Sequence, residues 1–329
     1  MLTPALEFKV HCSSKTIAAR VPQCMTFQTD NPASELHTLR DYIRWAMSSF
    51  QQASLYYGHG TDNPWDEAVQ LVLNAVHLPW DASPEVLDAR LTSSEKQRIL
   101  TYIRRRTEER IPLPYITGEA WYMGMPFYVD ERVLIPRSPI AELTEQQFSP
   151  WLRPGPVEQI LDLCTGSGCI GIACAYQFPE AQVDLVDIST DALAVAEKNI
   201  NRHELNHRVT TIQSDLFRNL EGKRYDLIVS NPPYVDQADF SNMPKEYQHE
   251  PQLALTSGID GLEITRCILK TAGHYLTESG LLVVEVGNSE AHLIESYPEV
   301  PFTWAEFEKG GNGVFLLTAE ELQRYQDYF

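Results

Sequence analysis

Gln159-Ile160-Leu161-Asp162-Leu163-Cys164-Thr165-Gly166-Ser167-Gly168-Cys169-Ile170-Gly171 reads as a buried strand, a glycine-rich turn and the opening of a helix. Gly166, Gly168 and Gly171 have the G-x-G-x-x-G spacing that lets a backbone approach a nucleoside-bearing ligand closely. Asp187 ends the next strand-like run about 20 residues on, placed for ribose hydroxyls. A merely structural tight turn competes with this reading of a lone motif. The strand, the helix and the acid in register argue against it.

Strands and helices continue to alternate downstream. After the helix from about Ile170 come Val183–Ile188, a helix from Asp191, Val209–Gln213, Tyr225–Ser230, a helix near Leu262–His274 and Leu281–Gly287. Such alternation predicts an α/β fold with a parallel, doubly wound sheet. Two final strands flank Gly310-Gly311-Asn312-Gly313 and predict an antiparallel C-terminal hairpin. Upstream, aromatic-rich alternation from Trp121 to Pro136 predicts a β-hairpin linker spanning 119–158. Residues 34–118 carry three helical patterns: one through Leu36, Leu39, Ile43, Met47 and Phe50, one opening at Asp62-Asn63-Pro64, and one capped by Thr92 with Glu95. They predict a small helical domain serving substrate recognition. Residues 1–33 lack periodicity and read as a loose tail, leaving 159–329 as the chemical domain.

Charge and cysteines narrow the class. The chain has 45 Asp and Glu against 26 Lys and Arg, for a net charge of -19. Duplex nucleic-acid binders gripping phosphates usually show the reverse, whereas an acidic enzyme suits a basic partner. Solubility alone is the plainer reading of that charge. No apolar run approaches the roughly 20 residues that span a bilayer, and the N-terminus carries no apolar signal-type stretch. Cys164, Cys169 and Cys174 share one strand-turn-helix and cannot pair well, so reduced, cytoplasmic thiols are expected.

The loop after Tyr225–Ser230 is Asn231-Pro232-Pro233-Tyr234, at a strand end where ligands of open α/β sheets bind. The two prolines remove backbone donors and stiffen the loop. An Asn oxygen beside a carbonyl is a pair of acceptors suited to an NH₂ group, and the nearby aromatic ring offers a planar substrate a flat face. Transfer to a planar amino or amide nitrogen is the chemistry suggested. The cofactor is then a dinucleotide or S-adenosylmethionine. Asp162 ends the strand before the glycine loop, poorly placed for a pyrophosphate but suited to an ammonium or sulfonium group. Asp215 can accept from an adenine amino group, and Leu216 can lie against the ring. Together with the asparagine-proline loop these residues favour the methyl donor, although strand-end acids also cap helices.

In this order, Asp162–Gly168, Asp187, Ser214-Asp215-Leu216-Phe217 and Asn231–Tyr234 resemble a class I Rossmann-like methyltransferase. Arg132–Arg137, with the helical region before it, resembles the HemK-type protein N5-glutamine methyltransferases. The longer runs Asn231–Leu262 and Tyr57–Leu73 are similar to the branch acting on large-subunit ribosomal protein three. The resemblance runs from about residue 34 to the C-terminus. It implies S-adenosylmethionine contacts at Cys164, Thr165, Gly166, Ser167, Gly168, Asp187, Ile188, Leu216 and Asn231, and substrate contacts at Asn231, Pro232, Pro233 and Tyr234. Catalysis falls on Asn231, Pro232 and Tyr234. Many relatives have Gly where this chain has Cys164, so the dihedral there is expected to suit a Cβ. A release-factor glutamine methyltransferase and a nucleic-acid amino methyltransferase are the alternatives. The segment Glu246-Tyr247-Gln248-His249-Glu250-Pro251 argues against the first, the acidic charge against the second.

Other candidates carry plainer readings. His203 and His207 fall at i, i+4 on an expected helix but lack a third ligand, so no metal site is expected. The cysteines read as packing thiols. His249 holds the substrate loop or plays a structural part. Arg104-Arg105-Arg106 and Arg110 read first as a solvated helix face, and more sharply as a contact with ribosomal RNA in an assembly intermediate.

Overall fold

In the computed structural model, residues 32–329 are described. The expected tail, 1–33, lies outside the described residues except for Pro32 and Ala33, which open the short helix Pro32–Glu35. Three longer helices follow: α1, Leu39–Gln52; α2, Pro64–Ala75; and α3, Ser93–Thr107. Each begins where the sequence supplies a cap. Thr38 with Asp41 and Thr92 with Glu95 form reciprocal capping boxes, and Asn63 accepts from the N–H groups of Trp65 and Asp66. The apolar stripes then close on one another through Tyr42, Ile43, Phe50, Leu71, Val72 and Ile99, all buried. Each such side chain contributes about 1.5–3 kcal/mol relative to exposure.

The hairpin is shorter than its alternating pattern suggests. Strands β1, Glu119–Tyr122, and β2, Met125–Tyr128, pair antiparallel, but residues 129–139 run as irregular backbone. Pro136 and Pro139 lack the N–H groups a ladder needs. Asn199 stitches this arm to the sheet domain: its Oδ1 accepts from Tyr128 N at 2.7 Å, and its Nδ2 donates to Tyr128 O and to Ser167 O.

The large sheet holds β3 (Gln159–Leu163), β4 (Gln182–Asp187), β5 (Val209–Gln213), β6 (Tyr225–Ser230), β7 (Leu276–Glu285), β8 (Thr303–Trp304) and β9 (Val314–Thr318). Their order is β5-β4-β3-β6-β7-β9-β8. The first five are parallel, whereas β9 is antiparallel to both β7 and β8. The expected C-terminal hairpin is therefore also the antiparallel edge of the main sheet. Successive strand residues feed opposite faces. Ile160, Leu227 and Val229 enter one core with helix α4 (Cys169–Gln177), while Leu161, Leu163 and Ile228 enter the other with α6 (Glu263–Ala272). Chain order reverses between β3 and β6, and that switch point is where open α/β sheets bind ligands.

Helix α5 (Thr190–Arg202) ends before His203, which caps it, and His207 lies in the following turn. The expected helical i, i+4 pair is thus absent. The His203 ring instead bonds Pro126 O and the Tyr176 hydroxyl.

Candidate functional site

The glycine loop leaves β3 through three left-handed residues: Cys164 at φ 58°, Gly166 at 55° and Gly168 at 81°. Cys164 corrects the sequence expectation. Its dihedral does not suit a Cβ but sits in the region glycine favours, so the residue is held there by its surroundings. Those holds are visible: Thr165 N donates to Val186 O, Gly168 N to Thr165 O, and Gly166 N to Asp187 Oδ2. Gly171 serves packing, because a Cβ there would fall 2.2 Å from Leu185 Cδ2 and 3.0 Å from Asp162 Cβ.

Asp162 is also placed otherwise than expected. It is buried beneath the loop, where Oδ2 accepts from Thr165 Oγ1 at 2.6 Å and from Gly171 N at 2.9 Å. It does not line the cavity above, so its part is to hold the loop rather than to face an ammonium or sulfonium directly. Burial pushes its carboxyl up to about 7, against the pull of those two donors.

That cavity, of about 210 Å³, lies over the carboxyl ends of β3, β4, β5 and β6. Cys164–Ser167, Asp187, Ile188, Asp215, Leu216 and Asn231 line it, as sequence reasoning placed them; Gly168 does not. Asp187 accepts from Gly166 N through Oδ2 and from Ser189 N through Oδ1, each at 2.9 Å. Burial nonetheless raises its carboxyl above the usual range. Ile188 is 51% exposed at the cavity wall, an apolar face left open beside an acid. Asp215 lies 3.5 Å from Arg218 on its outer side. Residues Arg132–Ser138 form the opposite wall.

A second cavity, of about 470 Å³, adjoins the first. Leu134, Arg137, Asn231 and Ala254 border both. Of the asparagine-proline loop, Pro233 faces the first chamber, Tyr234 faces the second, Asn231 borders both, and buried Pro232 lines neither. The Tyr234 hydroxyl donates to Glu285 Oε1 at 2.9 Å, while Ser138 Oγ donates to Oε2 at 2.5 Å. Burial raises the Glu285 carboxyl. The Tyr234 ring lies against Gly287, whose Cβ would come within 2.6 Å of it. Sequence reasoning missed Ser138 and Glu285. The available signal was an acid closing the apolar strand Leu281–Val284.

The segment after Tyr234 is pinned to the helical region by buried charge. Arg106 is 1% exposed and reaches Glu67 Oε1 at 2.6 Å, Glu246 Oε1 at 3.5 Å and Tyr56 O at 2.8 Å. Arg110 also meets Glu246, at 3.3 Å. The expected solvated face of Arg104–Arg106 is therefore corrected at Arg106, which helical phase turns inward; Arg104 is exposed and Arg105 half-buried. The ring of His249 bonds Glu109 O at 2.9 Å, which is a structural tie. Among the described residues the cysteines are free, and no cluster of His, Cys, Asp and Glu could hold a metal ion. None of the described helices is long and apolar enough to cross a membrane.

Residues 150–294 match the methyltransferase small domain family model. The ribosomal protein uL3 glutamine methyltransferase of Francisella tularensis is 54% identical over 90% of this chain and 95% of its own length. The chain belongs to the uL3 glutamine methyltransferase family. The Bordetella pertussis protein of the same name is 49% identical over 89% of this chain and 99% of its own. A solved methyltransferase from Pyrococcus furiosus covers 60% of this chain and is itself covered to 89%, at 19% identity and a TM-score of 0.43.

Proposed function

We propose that this chain transfers a methyl group from S-adenosylmethionine to the side-chain amide nitrogen, N5, of a glutamine in ribosomal protein uL3, and that it does so in the cytoplasm. The observation that carries the reading is Asn231, which borders both chambers in a chain of this family. The donor set of the smaller chamber fits S-adenosylmethionine. Asp187 offers carboxylate oxygens for a ribose diol, Ile188 and Leu216 supply apolar faces for a purine, and Asp215 offers an acceptor for its amino group. When bound, the group supplies an electrophilic methyl on a positively charged sulfur.

A glutamine nitrogen is a poor nucleophile, because its lone pair is delocalised into the carbonyl. Asn231 Oδ1 accepts one of its hydrogens and the carbonyl of Pro232, a residue that lines neither chamber but directly follows Asn231 at their junction, accepts the other, which holds the nitrogen lone pair toward the cofactor chamber. The prolines keep both acceptors in fixed register. Tyr234, anchored by Glu285 and backed by Gly287, supplies a wall for the amide plane and about 0.5–2 kcal/mol of attraction to nearby positive charge. Positioning supplies most of the acceleration, for which well-oriented systems reach about 7–11 kcal/mol. The methylated, protonated amide is acidic enough to lose its proton to water, so no strong base is required.

The net charge of -19 favours a basic ribosomal protein over nucleic acid through steering. Exposed Arg104 is left for a contact with ribosomal RNA in an assembling subunit. To test the reading, the chain is incubated with labelled S-adenosylmethionine and, in parallel, uL3, release factors and DNA. Label is expected in a glutamine of uL3. Label in release factors alone overturns the substrate, and label in DNA alone overturns the reaction.

A further inference from the structure

Two stretches far apart in sequence, Tyr57–Leu73 and Glu246–Pro251, meet around Tyr247. Tyr247 lies between two buried carboxylates that anchor its neighbours in opposite directions. Glu246 is held by the helical region through Arg106, Arg110 and the N–H of Tyr56. Glu250 is held by the wall segment of the cofactor chamber: Arg137 grips it through two bonds of 2.6 and 2.9 Å, and Ile135 N donates to it at 3.0 Å. Its other side meets the buried ring of His59, with Nε2 at 3.6 Å.

The Tyr247 ring fills the gap these anchors define. Its centroid is 4.5 Å from that of His59 and 5.6 Å from that of Tyr56, and the Arg137 guanidinium sits 5.3 Å above it. A Cβ on Gly58 would come within 2.9 Å of its hydroxyl, so glycine lets the turn approach the ring without displacing it. Tyr247 stays half-buried, and it lines the larger chamber together with Asn231 and Tyr234. An aromatic side chain held rigidly at a chamber wall is the type that dominates recognition, since little rotamer entropy is lost on contact. We propose that Tyr247 is a specificity-determining residue, contacting the polypeptide beside the target glutamine, and that the helical region acts on selection by holding it there through Glu246 and His59. The inference rests on the functional reading above and adds the residue through which distant parts of the chain shape the substrate chamber. Glu246 and His59 are positioning residues; neither lines the chamber.

The test is steady-state methylation of purified uL3 by the full chain, with donor affinity and melting temperature measured on each variant. Tyr247→Ala is expected to raise KM for uL3 about tenfold while kcat falls less than about threefold and donor affinity holds, the pattern of lost substrate binding. Tyr247→Phe restores the ring and recovers KM to within about twofold. Glu246→Gln, which loosens the anchor, raises KM in the same direction by about threefold. An unchanged KM in Tyr247→Ala alongside active wild type overturns the inference alone. Equal loss of donor affinity and KM, with no recovery in Tyr247→Phe, assigns a structural role and overturns it too. A wild-type chain that leaves uL3 unlabelled overturns the functional reading and this inference together.

Discussion

The two chambers that meet at Asn231 are built by opposite strategies. The loop that floors the smaller chamber is local: a strand, five loop residues and a helix, with Asp187 one strand away and backbone N–H groups doing the holding, while Arg132–Ser138 and the ends of β5 and β6 complete its walls. The substrate side is assembled from residues such as Arg137, Tyr234, Tyr247 and Glu285, drawn from four separated segments and fixed by buried side-chain charge. A local motif places its ligand through glycine geometry, which tolerates little variation. A chamber assembled from distant pieces depends on ion pairs, which can be exchanged to change what is recognised.

Five substitutions sharpen or break that contrast, taken from the largest expected effect. Arg106→Ala leaves buried Glu67 without a cation and Glu246 with Arg110 alone, and is expected to cost about 3–5 kcal/mol, read by denaturant unfolding. A loss under about 1 kcal/mol would mean that the helical region is not held by this pair. On the cofactor side, Gly171→Ala drives a methyl into Leu185 and Asp162 and costs about 1–3 kcal/mol, with weaker donor binding measured by calorimetry.

The carboxyls of the two sides also respond to pH in opposite senses. Glu250 is held down at about 2 by Arg137 and by the nearby His59 ring, despite its burial. Its stabilisation is full above its ordinary 4.5 and lost as pH falls from there toward 2. Asp162, raised from 3.8 to about 7, binds its proton more tightly folded than unfolded, so it makes stability fall as pH rises from about 4 to 7. Melting temperature against pH should therefore lose the upper slope in Asp162→Asn and the lower slope in Glu250→Gln. If both variants keep both slopes, the charges lie elsewhere. The smallest effect is Cys164→Gly, which relaxes a left-handed backbone and should change stability by no more than about 1 kcal/mol, with donor binding retained.

Legibility in the sequence follows the same divide. The parallel sheet, its antiparallel edge and the helical region follow from periodicity and caps, because strands buried on two faces and capped helices leave local signatures. The lining roles of Asp187, Ile188, Leu216 and Asn231 follow from their positions at strand ends. Arg106 did not: a basic run looks solvated until its partners, 39 and 140 residues away, are known. Nor did Glu285 or Tyr247, whose parts depend on which segments cross over β6 and β7. Asp162 was found but aimed wrongly, since a strand-end acid points up into a cleft or down under a loop and sequence does not distinguish the two. His203 and His207 failed for a simpler reason: the helix ends at Arg202, five residues short of His207.

The central claim is that Asn231 joins the two chambers by orienting the glutamine nitrogen, and single-turnover methyl transfer to uL3 by Asn231→Ala, at saturating S-adenosylmethionine and with donor binding measured on the same sample, tests it most directly. The account predicts a transfer rate down by about 10²–10³, the size of effect seen when one preorganised hydrogen-bonding group is removed, with donor affinity within about threefold of wild type. A variant that binds the donor normally and transfers at near wild-type rate would contradict it.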